Sequence, residues 1–349
     1  MLKIYTDTNL LTEQNRKLVF PLLFDLFYGN NEYLSTYYKI VNDINNSDVI
    51  VLPLEYVYSL KFYKSTIDNI LDKAKQLDKP IWVYSGGDFG YTLQDKSIFN
   101  FRLGGFKSKL NERTIIIPSF INDPYQINLE KDFSPLQKNK IPEIGFVGHA
   151  KTGVLKYLKE FLAFIKINLK RILKKELKDY QPFYPSSIKR AKYLKTLKKS
   201  DKLKTNFILR DTYRAGVKTE IEKQKTTETF YQNIVKNPYT FCIRGAGNFS
   251  VRFYETLAVG RIPVLINTDC QLPLSNKIDW KKHCLIIDDE QTKTLEQQIL
   301  NFHKKINEEN FIKLQENNRL LWNKYLRREF FFKHIHDVFI SKLQDDGLS

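Results

Sequence analysis

Three cysteines in 349 residues, Cys242, Cys270 and Cys284, are odd in number and form no C-x-x-C pair. That excludes a disulfide-stapled scaffold and a thiolate zinc site; they read as small buried hydrophobes in a reducing compartment. The five histidines show no metal-ligand spacing: His334 and His336, two apart, would face different sides of a helix. No stretch approaches the roughly 20 uncharged apolar residues of a membrane span, and Met1 to Leu10 lacks the apolar run of a secretory leader. These absences point to a cytoplasmic protein, peripheral on the inner face of a membrane if it meets one. Hydrophobic residues make up 42% of the chain, enough to bury two cores.

The net charge of +17 is concentrated. Residues 1–150 are balanced, 151–205 carry 17 Lys/Arg against 4 Asp/Glu, and 206–349 add only +4. The basic segment 151–205 therefore reads as an insertion. Within it, Leu158, Phe161, Leu162, Ile165, Leu169, Ile172, Leu173 and Leu177 fall on one helical stripe between Leu155 and Leu177, with lysines on the rest. Two readings stand: a helix packed on the core with a solvated basic face, or a surface that meets an anionic membrane or polyanionic glycan. The lysines running on from Lys189 to Lys204 favour the second.

Strands alternate with helices from the start. Lys3–Tyr5, Val49–Pro53, Pro80–Tyr84 and Thr114–Ile117 read as strands, Asn15–Phe27 and Leu60–Gln76 as helices. Such alternation predicts a mostly parallel sheet with helices on both faces and ligands beyond the carboxyl ends of the strands. The loop Gly86–Gly90 is placed there, and Asp88, after a strand and between glycines, is the best N-terminal carboxylate for a general base. Later, Ile144–His149 reads as a strand and turn whose His149 is a cleft candidate. Asn206–Arg210 is a strand opening the run Arg210-Asp211-Thr212-Tyr213-Arg214, and Glu308–Leu343 is helical, its aromatics Trp322, Tyr325, Phe330, Phe331, Phe332 and Phe339 reading as core.

The stretch from Tyr239 to Trp280 is a βαβ unit: strand Thr240–Ile243, a glycine turn, a helix from Ser250 to Gly260, and strand Ile262–Ile266. Gly245 and Gly247 remove side chains where phosphates would approach the backbone, and Ser250 is placed as an N-cap. Arg252 puts a positive charge in the first helical turn, where the helix dipole favours a negative one, so a bound anion would relieve the mismatch. Arg252 and Glu255 share a helix face; the arginine would hold a diphosphate and the carboxylate a ribose. Arg210, at a strand end, is a second phosphate candidate.

The stretch resembles the exostosin family, glycosyltransferase family 47, with its pattern F-C-L-x-P-x-G, S-x-R-x-x-E-A, G-x-x-P-V-I, L-P-F and L-D-W. Phe241-Cys242-Ile243, Gly247, Ser250, Arg252, Glu255, Gly260, Pro263-Val264-Leu265, Leu272-Pro273-Leu274 and Ile278-Asp279-Trp280 match in order and spacing. Gly245 stands in place of the family's proline and Thr256 in place of its alanine. Asp269 matches the family's acidic residue past the second strand. Ser47-Asp48-Val49 to Pro53 is similar to A-D-x-F-x-x-P, and Gly87-Asp88-Phe89 sits where the family has G-R-D-H.

The resemblance implies an α/β fold of GT-B type, two Rossmann-like domains facing a central cleft, here with the basic helical insertion. The expected division is an acceptor-side domain over 1–143, a donor domain over 144–330 holding 151–205, and a helix over 331–349 packing back towards the first. It implies inverting transfer from a nucleotide sugar, with UDP the first choice, to a glycan or lipid-linked glycan. A bacterial or viral surface polysaccharide fits a chain without an N-terminal anchor. Asp88 would be the base, and Arg252, Arg210 or Arg244 would meet the leaving diphosphate without a metal. Two other classes stay open: an NAD-dependent oxidoreductase using Gly245-x-Gly247-x-x-Ser250 with Asp269 about 20 residues on, and a nucleic-acid-binding protein built on the basic segment. The transferase reading expects no nucleic acid.

Overall fold

The computed structural model describes residues 1–129, 131–212 and 216–345, the last four as backbone alone. Tyr213 and Arg214 of the arginine run lie outside the described residues. The chain divides into two compact units, one of 1–118, 176–180 and 325–349, the other of 119–175 and 181–324.

The first unit is built on a parallel sheet of β1 (Leu2–Tyr5), β2 (Tyr38–Val41), β3 (Val49–Val51), β4 (Ile81–Ser85), β5 (Ile98–Arg102) and β6 (Thr114–Ile116), in spatial order β2-β1-β3-β4-β5-β6. Val49, Ile50 and Val51 are all buried, as expected of a strand covered on both faces. The stretch predicted as one helix over 15–27 is instead a 3₁₀ turn, a short helix beginning at Pro21 and a π turn over Phe24–Tyr28. Proline cannot continue a preceding helix but starts one well, so Pro21 resets the segment. The predicted helix over 60–76 is two, α1 (Tyr56–Phe62) and α2 (Lys64–Gln76), broken where Tyr63 leaves helical geometry at φ −132°.

The second unit's sheet contains β7 (Glu143–His149), β8 (Lys204–Arg210), β9 (Tyr239–Cys242), β10 (Ile262–Asn267) and β11 (Leu285–Asp288), parallel throughout, in the order β11-β10-β9-β7-β8. Taken in chain order within each unit, the first five strands of both sheets follow one pattern, 2-1-3-4-5. The helices are α3 (Val154–Ile172), α4 (Ser186–Lys198), α5 (Glu220–Lys236), α6 (Val251–Ala258), α7 (Leu295–Lys305), α8 (Glu308–Leu321) and, in the first unit, α9 (Arg328–Asp345). Ile144, Phe146, Phe241, Val264, Ile266 and Ile287 form the heart of the second core. Both units are α/β with parallel sheets, the fold class expected.

The first boundary falls after Pro118 rather than at 143 because the chain from Ser119 onwards is fastened to the second unit. Tyr125 donates to the Val259 carbonyl (2.9 Å), Asp123 pairs with Arg319 (2.6 Å), and the Gln315 side chain closes both hydrogen bonds of the Leu136 backbone. The return crossing comes at Tyr325, and α9 completes the first core: Trp82 meets Phe339 at 4.6 Å between ring centroids and Tyr38 donates to the Phe332 carbonyl at 2.6 Å. Trp322, Phe331, Phe332 and Phe339 are buried, whereas Tyr325 and Phe330, also read as core from the sequence, are half-buried.

Candidate functional site

In the second sheet β8 lies on one side of β7, while β9, β10 and β11 follow on the other. Connections leaving the carboxyl ends of β7 and β9 therefore diverge, and this is where open parallel sheets take their ligands. Four arginines arrive at that edge from four different elements.

Arg252, in the first turn of α6, turns back onto β7. Its Nη2 donates to the Val147 carbonyl at 2.7 Å, and the guanidinium lies 4.2 Å over the Phe146 ring. Gly148 leaves the space: a Cβ there would sit 2.8 Å from Nη2. The Nε is buried and has no acceptor among the described residues. Burial lowers the arginine's pKa, with Arg210 adding to the effect.

Arg190, on α4, joins the two diverging strands. Nη1 donates to the His149 carbonyl at the end of β7 (2.7 Å) and Nη2 to the Arg244 carbonyl just after β9 (3.0 Å). Burial and then the charge of Arg252 pull its pKa down to about 10. Arg244 itself is buried, donating to Ala246 O (2.5 Å) and lying 5.0 Å from the Tyr184 ring. Arg210, paired in register with His149, donates to Thr226 O at 2.9 Å. Arg190, Arg210 and Arg252 make no ion pair among the described residues, where their hydrogen bonds end on carbonyls.

The acid expected to accompany Arg252 is in place but only half effective. Burial lifts the Glu255 pKa to about 7 against the pull of Arg252, and the two form no ion pair among the described residues. Mutually unfavourable cations with a half-ionised carboxylate make an edge that a polyanion would stabilise. His149 belongs to the same edge: Nδ1 lies 3.4 Å from Ser187 Oγ, and burial, Lys156 and Arg190 lower its pKa, keeping the ring neutral near pH 7.

The turn from Gly245 to Ser250 is clipped to the end of β10. Asn248 Nδ2 donates to the carbonyls of Thr268 (2.9 Å) and Asp269 (3.1 Å), and its Oδ1 accepts from Thr268 Oγ1 (2.5 Å). Nothing lies within 4 Å of where a Gly245 Cβ would stand, so backbone there is open to approach; Gly247 is buried. Ser250 holds the N-cap position, but its side chain caps nothing. Capping through the hydroxyl, predicted from the sequence, is therefore corrected; the side chain instead lines a small pocket with Arg244, Phe253, Leu265, Cys270 and Leu272. Asp269 is exposed in the left-handed region, φ +60°, its carbonyl held by Asn248, so it shapes the turn.

The second edge thus gathers His149, Arg210, Arg244, Gly245, Gly247, Ser250, Arg252 and Glu255. Asp88 belongs to the first unit, exposed in the turn after β4. Beside that turn lies a carboxylate the sequence reading missed. Glu55 Oε2 accepts from Tyr58 N at 2.7 Å, Oε1 is buried with no hydrogen-bond partner among the described residues, and burial raises its pKa. Its signal was faint, an acid just beyond the strand over 49–53. Arg190 was also missed, because its place in a lysine-rich helix reads as solvated surface.

Residues 186–301 match the family model described as the Exostosin GT47 domain. Exostosin-1 of Drosophila melanogaster is 34% identical over 97 residues, 27% of this chain and 12% of that protein. The Exostosin-1 homolog of Caenorhabditis elegans is 30% identical over 99 residues, 28% of this chain and 25% of that protein. The chain thus matches only a small part of the length of these relatives. Among solved structures, an alpha1,3-fucosyltransferase aligns over 91% of this chain and 82% of that chain at 13% identity, with a TM-score of 0.37, too weak to carry an argument. The family match spans Arg190, Arg210, the glycine turn, Arg252, Glu255 and Asp269, so most of the arginine-lined edge lies inside the segment that is similar to the exostosin GT47 domain.

Proposed function

We propose that the protein is an inverting glycosyltransferase that moves a sugar from a nucleotide sugar, a UDP-sugar in the first instance, to a hydroxyl of a growing surface glycan or lipid-linked glycan. The observation that carries this reading is the convergence of Arg190, Arg210, Arg244 and Arg252 at the switch point of the second sheet, three of them without an ion-paired acid among the described residues. As the glycosidic bond breaks, negative charge grows on the diphosphate. Fixed guanidinium groups and the N-terminus of α6 are suited to receive it without reorganising, and in this proposal they take the place of a metal ion. Glu255 is assigned to the ribose. The acceptor hydroxyl gives its proton to Asp88, with Glu55 the second candidate for that task. A cytoplasmic setting, bacterial or viral, with the basic segment against an anionic membrane, completes the reading.

The oxidoreductase alternative loses support because the glycine turn follows the third strand of its unit rather than the first, where a dinucleotide fingerprint belongs. The nucleic-acid alternative loses one of its cations, since Arg190 of the basic segment is committed to the sheet edge.

A thermal-shift panel of UDP, GDP, CMP and NAD, each with and without Mg²⁺, tests the proposal. A nucleotide at 100 times its dissociation constant adds about 2.7 kcal/mol of stability. Stabilisation by UDP that does not depend on Mg²⁺ is the expected result; a response to NAD alone would sink it.

A further inference from the structure

The helix α3 is turned inside out. It runs for 19 residues, about 28 Å, and buries none of them, whereas α2, α4, α5, α6, α7 and α8 each bury several. Most of its apolar stripe is exposed: Leu155, Leu158, Leu162, Leu169, Ile172 and the following Leu173 are between 47% and 76% exposed, with Ile165 among them half-buried. The half-buried side carries polar groups instead, with Glu160, Asn168 and Arg171 set among Phe164 and Ile167. In the first half Tyr157, Phe161 and Phe164 all meet Phe183 at 5.3 to 5.4 Å between centroids. Of the two readings left open by the sequence, the core-packed one is therefore overturned.

Its two borders differ. At 100° per residue, Lys159, Lys166 and Lys170 fall along one border of the stripe, and Tyr157 and Phe161 along the other. All five are exposed. Between 151 and 180 there are nine Lys/Arg against three acids. An apolar stripe with a cationic border and aromatic edge is the pattern of a helix lying in the plane of a membrane interface, leucines in the acyl boundary and ammonium groups at anionic headgroups. No helix of the described residues is long and apolar enough to cross a membrane.

We propose that α3 is an in-plane anchor that docks the protein on an anionic lipid surface. A second copy of the chain is the competing occupant, and charge argues against it. Two such helices packed antiparallel, stripe to stripe, bring each border against its own counterpart, so the lysine rows would face each other. A leaflet rich in phosphatidylglycerol answers the same row with opposite charge. The proposal does not rest on the donor-site reading.

Co-sedimentation of the whole chain with vesicles of 30% phosphatidylglycerol in phosphatidylcholine tests it, against vesicles of phosphatidylcholine alone. Binding is expected to the anionic vesicles and to weaken as salt rises from 0.05 to 0.5 M. Leu158→Glu with Leu162→Glu should abolish binding. Replacing Lys159, Lys166 and Lys170 by Glu should weaken it by about a hundredfold at least, at roughly fivefold per lysine lost. These side chains are exposed, so the melting temperature and the UDP shift of both variants should stay at wild-type values, which separates failure here from failure of the donor site. No binding by the wild type, or binding indifferent to both variants, overturns the proposal. So does a dimer in solution that the leucine variant dissociates while vesicles are ignored.

Discussion

Both sheets have the same strand order, yet the arginines at their carboxyl edges live in opposite circumstances. In the first unit Arg102, 1% exposed at the end of β5, is fully engaged. It bonds Asp179 at 2.7 Å, the carbonyls of Gly104 and Phe89 at 2.6 Å each, and Thr92 at 3.0 Å. Gly90, at φ +64°, is required for this: a Cβ there would come within 2.5 Å of the guanidinium. In the second unit Arg190 and Arg252 hydrogen-bond to carbonyls, with no ion-paired acid among the described residues, and the charge of Arg252 adds to burial in lowering the pKa of Arg190. A cation paired with an acid is structure. Cations left to repel one another at a switch point are what the proposed donor site would use, because a bound anion would relieve the cost they impose on the fold.

The contrast breaks most sharply at Arg252. Arg252→Ala is expected to lower sugar-transfer turnover by on the order of 10² or more; near wild-type rates would remove it from the mechanism. In the first unit Asp179→Ala should leave Arg102 buried and uncompensated and cost about 3 kcal/mol of stability. UDP affinity should then be unchanged, and a large loss of affinity instead would erase the distinction between the two edges. Arg190→Gln should weaken UDP binding by on the order of tenfold, the value of one hydrogen bond to a charged group, measured by isothermal calorimetry. An unaltered dissociation constant would return this residue to a purely structural role.

The smallest effect concerns pH. Glu255 is held at about 7 in the fold against 4.5 when free, so its protonated form stabilises the fold fully below the free value, and that contribution is lost as pH rises through about 7. Wild-type melting should therefore fall between pH 5 and 8 relative to Glu255→Gln. Parallel pH profiles for the two proteins would show that Glu255 does not titrate there.

The βαβ unit over 239–267 was legible because each of its signals agreed: buried strands, glycines in the turn, a helix of the right length. Strands β2, β5 and β11 were missed because short strands carrying polar residues, such as Asn100 and Arg102 in β5, do not show a clean apolar run. Periodicity located α3 but gave only the existence of an apolar side, not whether the protein or the surroundings cover it. Arg190 was unreadable for a related reason. Its neighbours Lys189 and Lys192 are also cations, and only the packing of α4 against the sheet singles out which one turns inward.

The route of the chain has a consequence for synthesis. The first unit combines residues 1–118 with α9, whose Phe332 and Phe339 cover Phe101 and Trp82. On the ribosome, domains ordinarily close in the order they emerge. Here residues 1–118 must wait with an open aromatic face while more than 200 further residues are translated, and the second unit, contiguous but for five residues, is free to close before them. A nascent chain stalled before α9 should therefore yield a protease-resistant second unit attached to a digestible leader, the reverse of the usual vectorial order.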